Sequence, residues 1–217
     1  GAANGTDRDA LYVNLFIASE LDDSERGVRL VQDTRFPTED STRLTVHCAH
    51  PVRFGMRVRV PYWTRGGSAT LNGRTLDAFA APSSYLVVDR TWRDGDTLEL
   101  TLPMGLHAHP MPDDPSIQAM MYGPLVLAGR LGTDGLTPDV LRAEPTKPRT
   151  VPEYKADPVP APSFVARGPE LASWIKPSGG PLEFRTAGQS TDVTLVPLNT
   201  VIDERYAVYW KIAESGA

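Results

Sequence analysis

Apolar and polar residues alternate in short runs throughout the first 130 residues of the chain, and turn signals separate these runs. The clearest run is 53–60, where Phe54, Met56, Val58 and Val60 alternate with arginine or glycine. A period of two is the pattern of a β-strand with one face on a core and the other in water. The runs recur about every ten residues, which favours an antiparallel sandwich or barrel.

Turn chemistry between the runs supports this interpretation. Asn72-Gly73 stands between two short strand candidates, and this pair tolerates the two positive φ angles of a type I′ hairpin turn. The segment 92–96, with the sequence WRDGD, predicts a second turn with Gly95 at its tightest point.

The first run, 11–17, differs from the others because both of its faces are partly apolar. Leu11 and Val13 share one face, while Tyr12 and Phe16 share the other. This pattern predicts a central strand, or a strand whose outer face is covered by a neighbouring domain.

We therefore predict an all-β chain built around one antiparallel, jelly-roll-like β-sandwich. The sandwich is expected to span 9–130 and to be completed by 192–213, because Tyr206, Val208, Trp210 and Ile212 alternate again near the end. Eight prolines fall within 137–169, so 131–191 is predicted to be a smaller, β-containing insertion or second subdomain. Residues 1–8 are expected to be disordered or tag-derived.

Composition excludes several classes of function. The chain has 22 basic and 27 acidic residues and a net charge of −5, so a phosphate-binding basic face and nucleic acid partners are not expected. No apolar run reaches the roughly 18 residues that cross a bilayer. The opening sequence GAANGTDRDA is typical of a tag remnant or of a cut inside a longer protein, and we expect the chain to be a fragment.

The single cysteine, Cys48, excludes an internal disulfide and a thiolate-rich metal site. It alternates with Leu44 and Val46, which predicts a buried position in a strand. The chain has no glycine-rich phosphate loop, no nucleophile elbow and no cysteine beside an activating base. Neither a cofactor nor a metal ion is therefore predicted.

Two polar pairs near residue 110 are candidates for chemistry. His107 and His109 stand two residues apart on a predicted strand, a spacing that metal sites use, although histidines at strand ends more commonly serve only as polar surface residues. Asp113 and Asp114 lie in a proline-rich corner, where turn formation is the default role of aspartate and a glycosidase carboxylate pair is the alternative.

Aromatic residues offer flat apolar faces that suit a sugar ring. Trp63 and Trp92 lie next to turns at strand ends, so they are candidates for sugar or interdomain contacts. Packing within the sheet ends or the core is the alternative, and for most such residues it is the commoner outcome.

Several stretches, taken in order, resemble the C-terminal, non-catalytic part of the beta-L-arabinofuranosidase family, glycoside hydrolase family 127. They are LYVNLFIAS at 11–19, RVPYW at 59–63, LNG at 71–73, SY at 84–85, WRDGD at 92–96, LPM at 102–104, PMPDDP at 110–115 and YGPLVLAG at 122–129. ERYAVYW at 204–210 is similar to the terminal strand of the family.

The resemblance implies an (α/α)₆ catalytic barrel ahead of the sandwich, with a cysteine nucleophile near a zinc ion held by other cysteines and a glutamate. Those residues would precede the strand at Leu11, and Cys48 matches none of them. We therefore assign no catalytic residue to this chain and expect no catalysis by it alone.

The expected function is that of an accessory region that supports the barrel, helps to shape its cleft or contacts a second copy of the chain. Its expected partner is its own N-terminal catalytic domain, and a plant-type glycan is a second expected ligand. The alternative function is an autonomous carbohydrate-binding module that uses exposed aromatic residues. An independent hydrolase is the third option.

Overall fold

The computed structural model describes residues 4–6, 10–137 and 159–213. The regular secondary structure of these residues is almost entirely β-strand, so the predicted all-β class is confirmed. The exceptions are two short 3₁₀ turns, Leu171–Ser173 and Leu198–Thr200. Within the described ranges, no helix is long and apolar enough to cross a membrane. The chain divides into two compact units, Gly1–Gly105 and Leu106–Ala217.

The first unit is a sandwich of two sheets. One sheet has four strands in the order β1-β2-β6-β9, with β2 and β6 running parallel and the other neighbours antiparallel. Its strands are β1 (Asn4–Thr6), β2 (Ala10–Val13), β6 (Val52–Val60) and β9 (Ser84–Trp92). We call it the first sheet.

The second sheet has six strands in the order β3-β4-β5-β10-β7-β8, and every neighbouring pair is antiparallel. Its strands are β3 (Ser19–Asp23), β4 (Val28–Thr34), β5 (Ser41–Cys48), β7 (Ser68–Leu71), β8 (Arg74–Thr75) and β10 (Thr97–Thr101).

The core of the first unit is formed by the inward-facing residues of both sheets. In β6, Phe54, Met56, Val58 and Val60 are buried, as the alternation of this run predicts. The largest fully buried side chains of this core are Leu11, Leu30, Leu44, Met56, Trp92, Leu98, Leu100 and Leu102. Burial of apolar area on this scale is the main force that holds two sheets face to face.

The two predicted turns are present and are joined to each other. Asn72 and Gly73 have φ angles of 50° and 77°, as a type I′ turn requires, and Gly95 has a φ of 78°. The amide of Asn72 donates to Asp96 Oδ1 over 2.7 Å, and the backbone N–H of Arg93 donates to Asp96 Oδ2 over 2.9 Å. Asp96 therefore connects the β7–β8 hairpin to the turn that precedes β10.

The pKa of Asp96 is lower than its ordinary value. Burial is the largest single influence and raises the pKa, but the hydrogen bonds from Arg93 and Asn72 and the positive charges of Arg90 and Arg93 together outweigh it. The carboxylate form is thus favoured in the folded protein.

The described residues of the second unit form nine strands in a single network. The main path is β14-β19-β12-β13-β17-β16-β15, with β11 paired to β12 and β18 paired to β13. The strands are β11 (Leu106–Pro110), β12 (Ile117–Tyr122), β13 (Leu125–Arg130), β14 (Phe164–Val165), β15 (Ile175–Pro177), β16 (Phe184–Thr186), β17 (Thr194–Pro197), β18 (Tyr206–Ala207) and β19 (Tyr209–Ala213).

Aromatic residues form the centre of the second core. The ring centroid of Phe164 lies 4.9 Å from that of Trp210 and 5.7 Å from that of Trp174. Gly129 of β13 faces the Trp210 ring so closely that an added Cβ would overlap it. The other buried members are Met120, Leu127, Ile175, Phe184, Val193, Leu195 and Ile212.

The division of the chain differs from the expected boundaries of 9–130 with 192–213 around an insertion at 131–191. The last strand, β19, pairs with β12 and not with a strand of the first unit. Strands β14–β16, which lie within 131–191, belong to the same network as β12 and β19. The boundary therefore lies at Gly105.

Two further expectations fall partly outside the described residues. Residues 138–158, which hold most of the proline-rich segment, are not described. Of the segment 1–8, expected to be disordered or tag-derived, residues 4–6 pair with β2 as β1.

We predict that Gly129→Ala destabilises the second unit. The new methyl group would overlap the Trp210 ring and lie 2.8 Å from Val193 Cγ1, and overpacking of a core costs about 1–3 kcal/mol. Urea unfolding followed by tryptophan fluorescence measures the change. Gly180→Ala is the control, because an added Cβ there meets nothing within 4 Å. Equal effects of the two substitutions would contradict this account of the core.

We predict that Asp96→Asn lowers the free energy of unfolding by about 1–3 kcal/mol at pH 7, because it weakens charge-assisted hydrogen bonds. The pKa of Asp96 is lower in the folded than in the unfolded protein, so its carboxylate stabilises the fold. This contribution to the free energy of unfolding is complete above the unfolded pKa of about 4 and is lost as pH falls through the folded pKa. The difference between wild type and variant should therefore shrink between about pH 5 and pH 2. Unfolding in urea across this range is the measurement, with the exposed Glu25→Gln as control. A difference that stays constant with pH would refute the role of the charge.

Candidate interaction face

The outer face of the first sheet carries a compact group of aromatic and arginine side chains. Tyr12 of β2 lies opposite Arg57 of β6, which lies opposite Val87 of β9. In the adjacent row, Arg59 lies opposite Tyr85. These five residues, together with Asn14, define what we call the outer face.

Tyr12 and Arg57 hold each other in place. Arg57 NH1 donates to the Tyr12 hydroxyl over 2.8 Å, and the guanidinium carbon lies 5.4 Å from the centroid of the Tyr12 ring. A guanidinium near an aromatic ring gains a cation–π attraction in addition to its hydrogen bonds. The contact is possible because β2 and β6 are parallel neighbours, although the two residues are 45 apart in the chain.

Asn14 fixes the other two polar groups of the outer face. The Tyr85 hydroxyl donates to Asn14 Oδ1 over 2.8 Å, and Arg59 Nε donates to the Asn14 carbonyl over 2.9 Å. The rings of Tyr12 and Tyr85 meet edge to face, with centroids 5.6 Å apart. The group is therefore ordered before anything binds to it.

The outer face also exposes apolar surface. Tyr85 is 39% exposed and Val87 is 50% exposed, and Leu15 and Ile17, which lie shortly after Asn14 in the chain, are exposed as well. Tyrosine and arginine are enriched at the centres of protein–protein interfaces, where acidic residues are depleted. By composition, this face is suited to a protein partner.

Of the two tryptophans predicted as contact residues, Trp92 lies in the core of the first unit and Trp63 packs against that core. Trp92 has no exposed surface, its Nε1 donates to the Phe54 carbonyl over 3.1 Å, and its ring stacks on that of Phe54. Trp63 is half-buried and stacks on Phe36, with ring centroids 5.9 Å apart. Trp92 cannot touch a sugar or another domain, because the core encloses it completely.

The candidates near residue 110 all lie in the second unit, at and beyond β11. His107 Nε2 lies 2.9 Å from the Gly123 carbonyl, whereas His109 is exposed and faces Ala119 across the strand pair. Asp114 Oδ1 accepts from the backbone N–H and hydroxyl of Ser116, and these bonds lower its pKa. Asp114 therefore has the turn-forming role, and Asp113 is exposed beside it.

Cys48 ends β5 in a half-buried position, where it was expected to be buried. Burial is the largest influence that raises the pKa of its thiol, and the negative charges of Asp94 and Asp96 raise it further. A raised pKa makes a poor nucleophile at neutral pH. Among the described residues, no three His, Cys, Asp or Glu side chains are arranged to hold a metal ion.

The outer face was only partly visible in the sequence. The two-sided apolar character of the run at 11–17 and the arginines of 53–60 were both apparent. What the sequence could not reveal is that these two strands are parallel neighbours, because strand pairing between distant segments leaves no local signal.

Comparison with known families assigns each unit to a different domain type. Residues 10–104 match the family described as "Beta-L-arabinofuranosidase, GH127 middle domain". Residues 107–212 match DUF4986, a domain of unknown function. The two matches meet at the boundary between the structural units. No curated protein sequence matches the chain.

Solved structures with the same fold include a glycoside hydrolase, with 19% identity and a TM-score of 0.65. A GH127 beta-L-arabinofuranosidase from Geobacillus stearothermophilus T6 aligns with 19% identity and a TM-score of 0.63. A GH127 beta-arabinofuranosidase aligns with 19% identity and a TM-score of 0.61. The alignments cover 97–98% of this chain. The chain spans only 35–37% of the length of those proteins.

We predict that the outer face is dispensable for folding. Val87→Ala should change the free energy of unfolding by less than about 1 kcal/mol, because Val87 is 50% exposed. Its neighbour Leu86 points inward and is 6% exposed, so Leu86→Ala should cost about 2–5 kcal/mol. Urea unfolding of both variants tests this contrast. A large loss of stability in Val87→Ala would mean that the face has a structural role.

Proposed function

We propose that this chain, whose residues 10–104 match the GH127 middle domain, is an accessory region of a glycoside hydrolase that docks on a catalytic barrel. The outer face is the proposed docking surface. One observation carries the proposal: Tyr85 and Val87 expose apolar area on a sheet whose other face is already buried. Exposed apolar patches of this kind mark interaction sites.

Connectivity is consistent with this assignment. Strands β1 and β2 are the first described strands, and both belong to the first sheet. A domain joined to the N-terminal side of the chain would therefore connect at this sheet. The matched GH127 structures are almost three times as long as this chain, which leaves room for a catalytic domain in a longer protein.

Under this proposal the chain contributes no catalytic group. Cys48 has a raised pKa and lies in a strand of the sandwich, so it does not suit the role of a nucleophile. Support of the barrel, including the walls of its substrate cleft, is the proposed contribution to hydrolysis of arabinofuranosides.

The carbohydrate-binding alternative loses one of its two leading residues. Trp92 is enclosed, so its ring presents no open face of the kind that sugar platforms use, whereas Trp63 is half-buried with one face on Phe36 and stays a candidate. The exposed tyrosines Tyr62, Tyr206 and Tyr209 remain available to test it.

We predict that this chain, co-expressed with the catalytic part of the longer protein, co-purifies with it. Val87→Asp should reduce the recovered complex about tenfold or more, because it replaces exposed apolar area with a charge and places a carboxylate of this chain opposite Arg57. Ile202→Asp is the matched control, since Ile202 is exposed in the second unit. Affinity purification through a tag on the catalytic part measures recovery.

Three results would contradict the proposal. The first is no recovery of the wild-type chain, and the second is equal recovery of both variants. The third is that the chain alone binds a glycan, that Val87→Asp leaves this binding intact and that replacing an exposed tyrosine abolishes it. This result would favour the carbohydrate-binding module.

Sedimentation of the chain alone also tests whether a second copy covers the outer face, since Val87→Asp would then dissociate a dimer. The chain alone should not hydrolyse arabinofuranosides.

A further inference from the structure

The hydrogen-bonding capacity of the two arginines on the outer face is not fully used. Arg57 NH1 donates to Tyr12, but Arg57 Nε is buried and has no acceptor among the described residues. A buried N–H without an acceptor is unfavourable and is rare in folded proteins. Nε itself has no accessible surface, so a partner can contact Arg57 only through the other N–H groups of its guanidinium.

Arg59 is held in a similar way. Its Nε donates to the Asn14 carbonyl, and this bond positions the rest of the guanidinium at the outer face. Within the described part of the chain, no carboxylate lies within 4 Å of either guanidinium, although six other arginine side chains have one within this distance. Asp89 of β9 lies opposite Gly55, one row away from the row of Arg57 and Val87, and it does not pair with either arginine.

The spacing and rigidity of the pair restrict what can bind. Residues two apart on a strand lie about 7 Å from each other on the same face. A guanidinium presents its N–H groups in a planar fork that matches a carboxylate, and an immobilised fork loses little entropy on binding. Two such groups flanked by tyrosine and valine favour acidic side chains within an otherwise apolar contact.

The form of the surface favours a protein partner over an anionic sugar. Small-molecule sites are concave and enclose most of their ligand. Two grooves of the first unit are lined by residues of the second sheet and its turns, among them Asp22, His47 and Glu99. Neither groove is lined by Arg57 or Arg59, which stand on the strands of the other sheet.

We infer that the surface of the catalytic domain that covers the outer face presents carboxylates to Arg57 and Arg59. This inference rests on the proposed docking function and specifies its partner chemistry. The contact would combine apolar burial at Tyr85 and Val87 with one or two ion pairs shielded from water. Such pairs give orientation and specificity to an interface, because a wrongly placed partner leaves the charges unpaired.

The test uses the complex co-expressed with the catalytic part and measures the fraction that remains bound as sodium chloride rises. The double variant Arg57→Gln with Arg59→Gln should dissociate at least tenfold faster at low salt, and its dissociation should depend less on salt than that of wild type. Arg74→Gln is the control, because Arg74 is an exposed arginine on the second sheet. Urea unfolding of each free chain confirms that folding is intact. Arg57→Lys keeps the charge but loses the planar fork, so its complex should dissociate at a rate between those of wild type and the double variant.

Each outcome is distinct. If wild type binds and the double variant behaves like Arg74→Gln, docking stands and the inference fails. If wild type does not bind at all, the proposed function fails and the inference fails with it. If free glucuronic acid binds the isolated chain and the double variant loses that binding, the arginines recognise an anionic sugar and the inference is overturned.

Discussion

The strict alternation of β6 is the constraint on which the first unit depends. Its inward residues Met56 and Val58 are completely buried, so a shift by one residue would expose them and bury Arg57 and Arg59. The free energy of burial therefore fixes the register of β6 against both β2 and β9. Because the register is fixed, the position of every outward side chain on these strands is fixed as well.

The outer face follows from this register together with one parallel pairing. The core requires only that the inward faces be apolar, and it leaves the outward residues free to differ. In β6 they are three arginines and one glycine, and in β2 and β9 they include tyrosines whose hydroxyls need partners. Tyr12 is paired by Arg57, and Tyr85 is paired by Asn14. The side chains that are not required for folding are thus held in one arrangement by each other.

Local signals in the sequence predicted local structure well. The alternation at 53–60, the Asn72-Gly73 turn and the turn at Gly95 all appear as expected, since each depends on neighbouring residues alone. The unit boundary did not follow, because it depends on which distant strands pair. Trp210 packs against Gly129, and nothing near either residue indicates that contact. The apolar alternation at 206–212 identified a strand correctly but not the sheet that it joins.

The aromatic residues show why the site was harder to predict than the fold. Tryptophan buries the largest apolar area of any side chain, so a tryptophan at a strand end gains most by turning into the core, as Trp92 does. Tyrosine keeps a polar end, and a tyrosine on a sheet surface can satisfy it locally while its ring remains exposed. Tyr85 does so through Asn14. Its ring therefore enters a contact already oriented, and less conformational entropy is lost when a partner covers it. For an accessory domain that must hold a second domain in one orientation, an ordered tyrosine and arginine surface is better suited than a mobile apolar one.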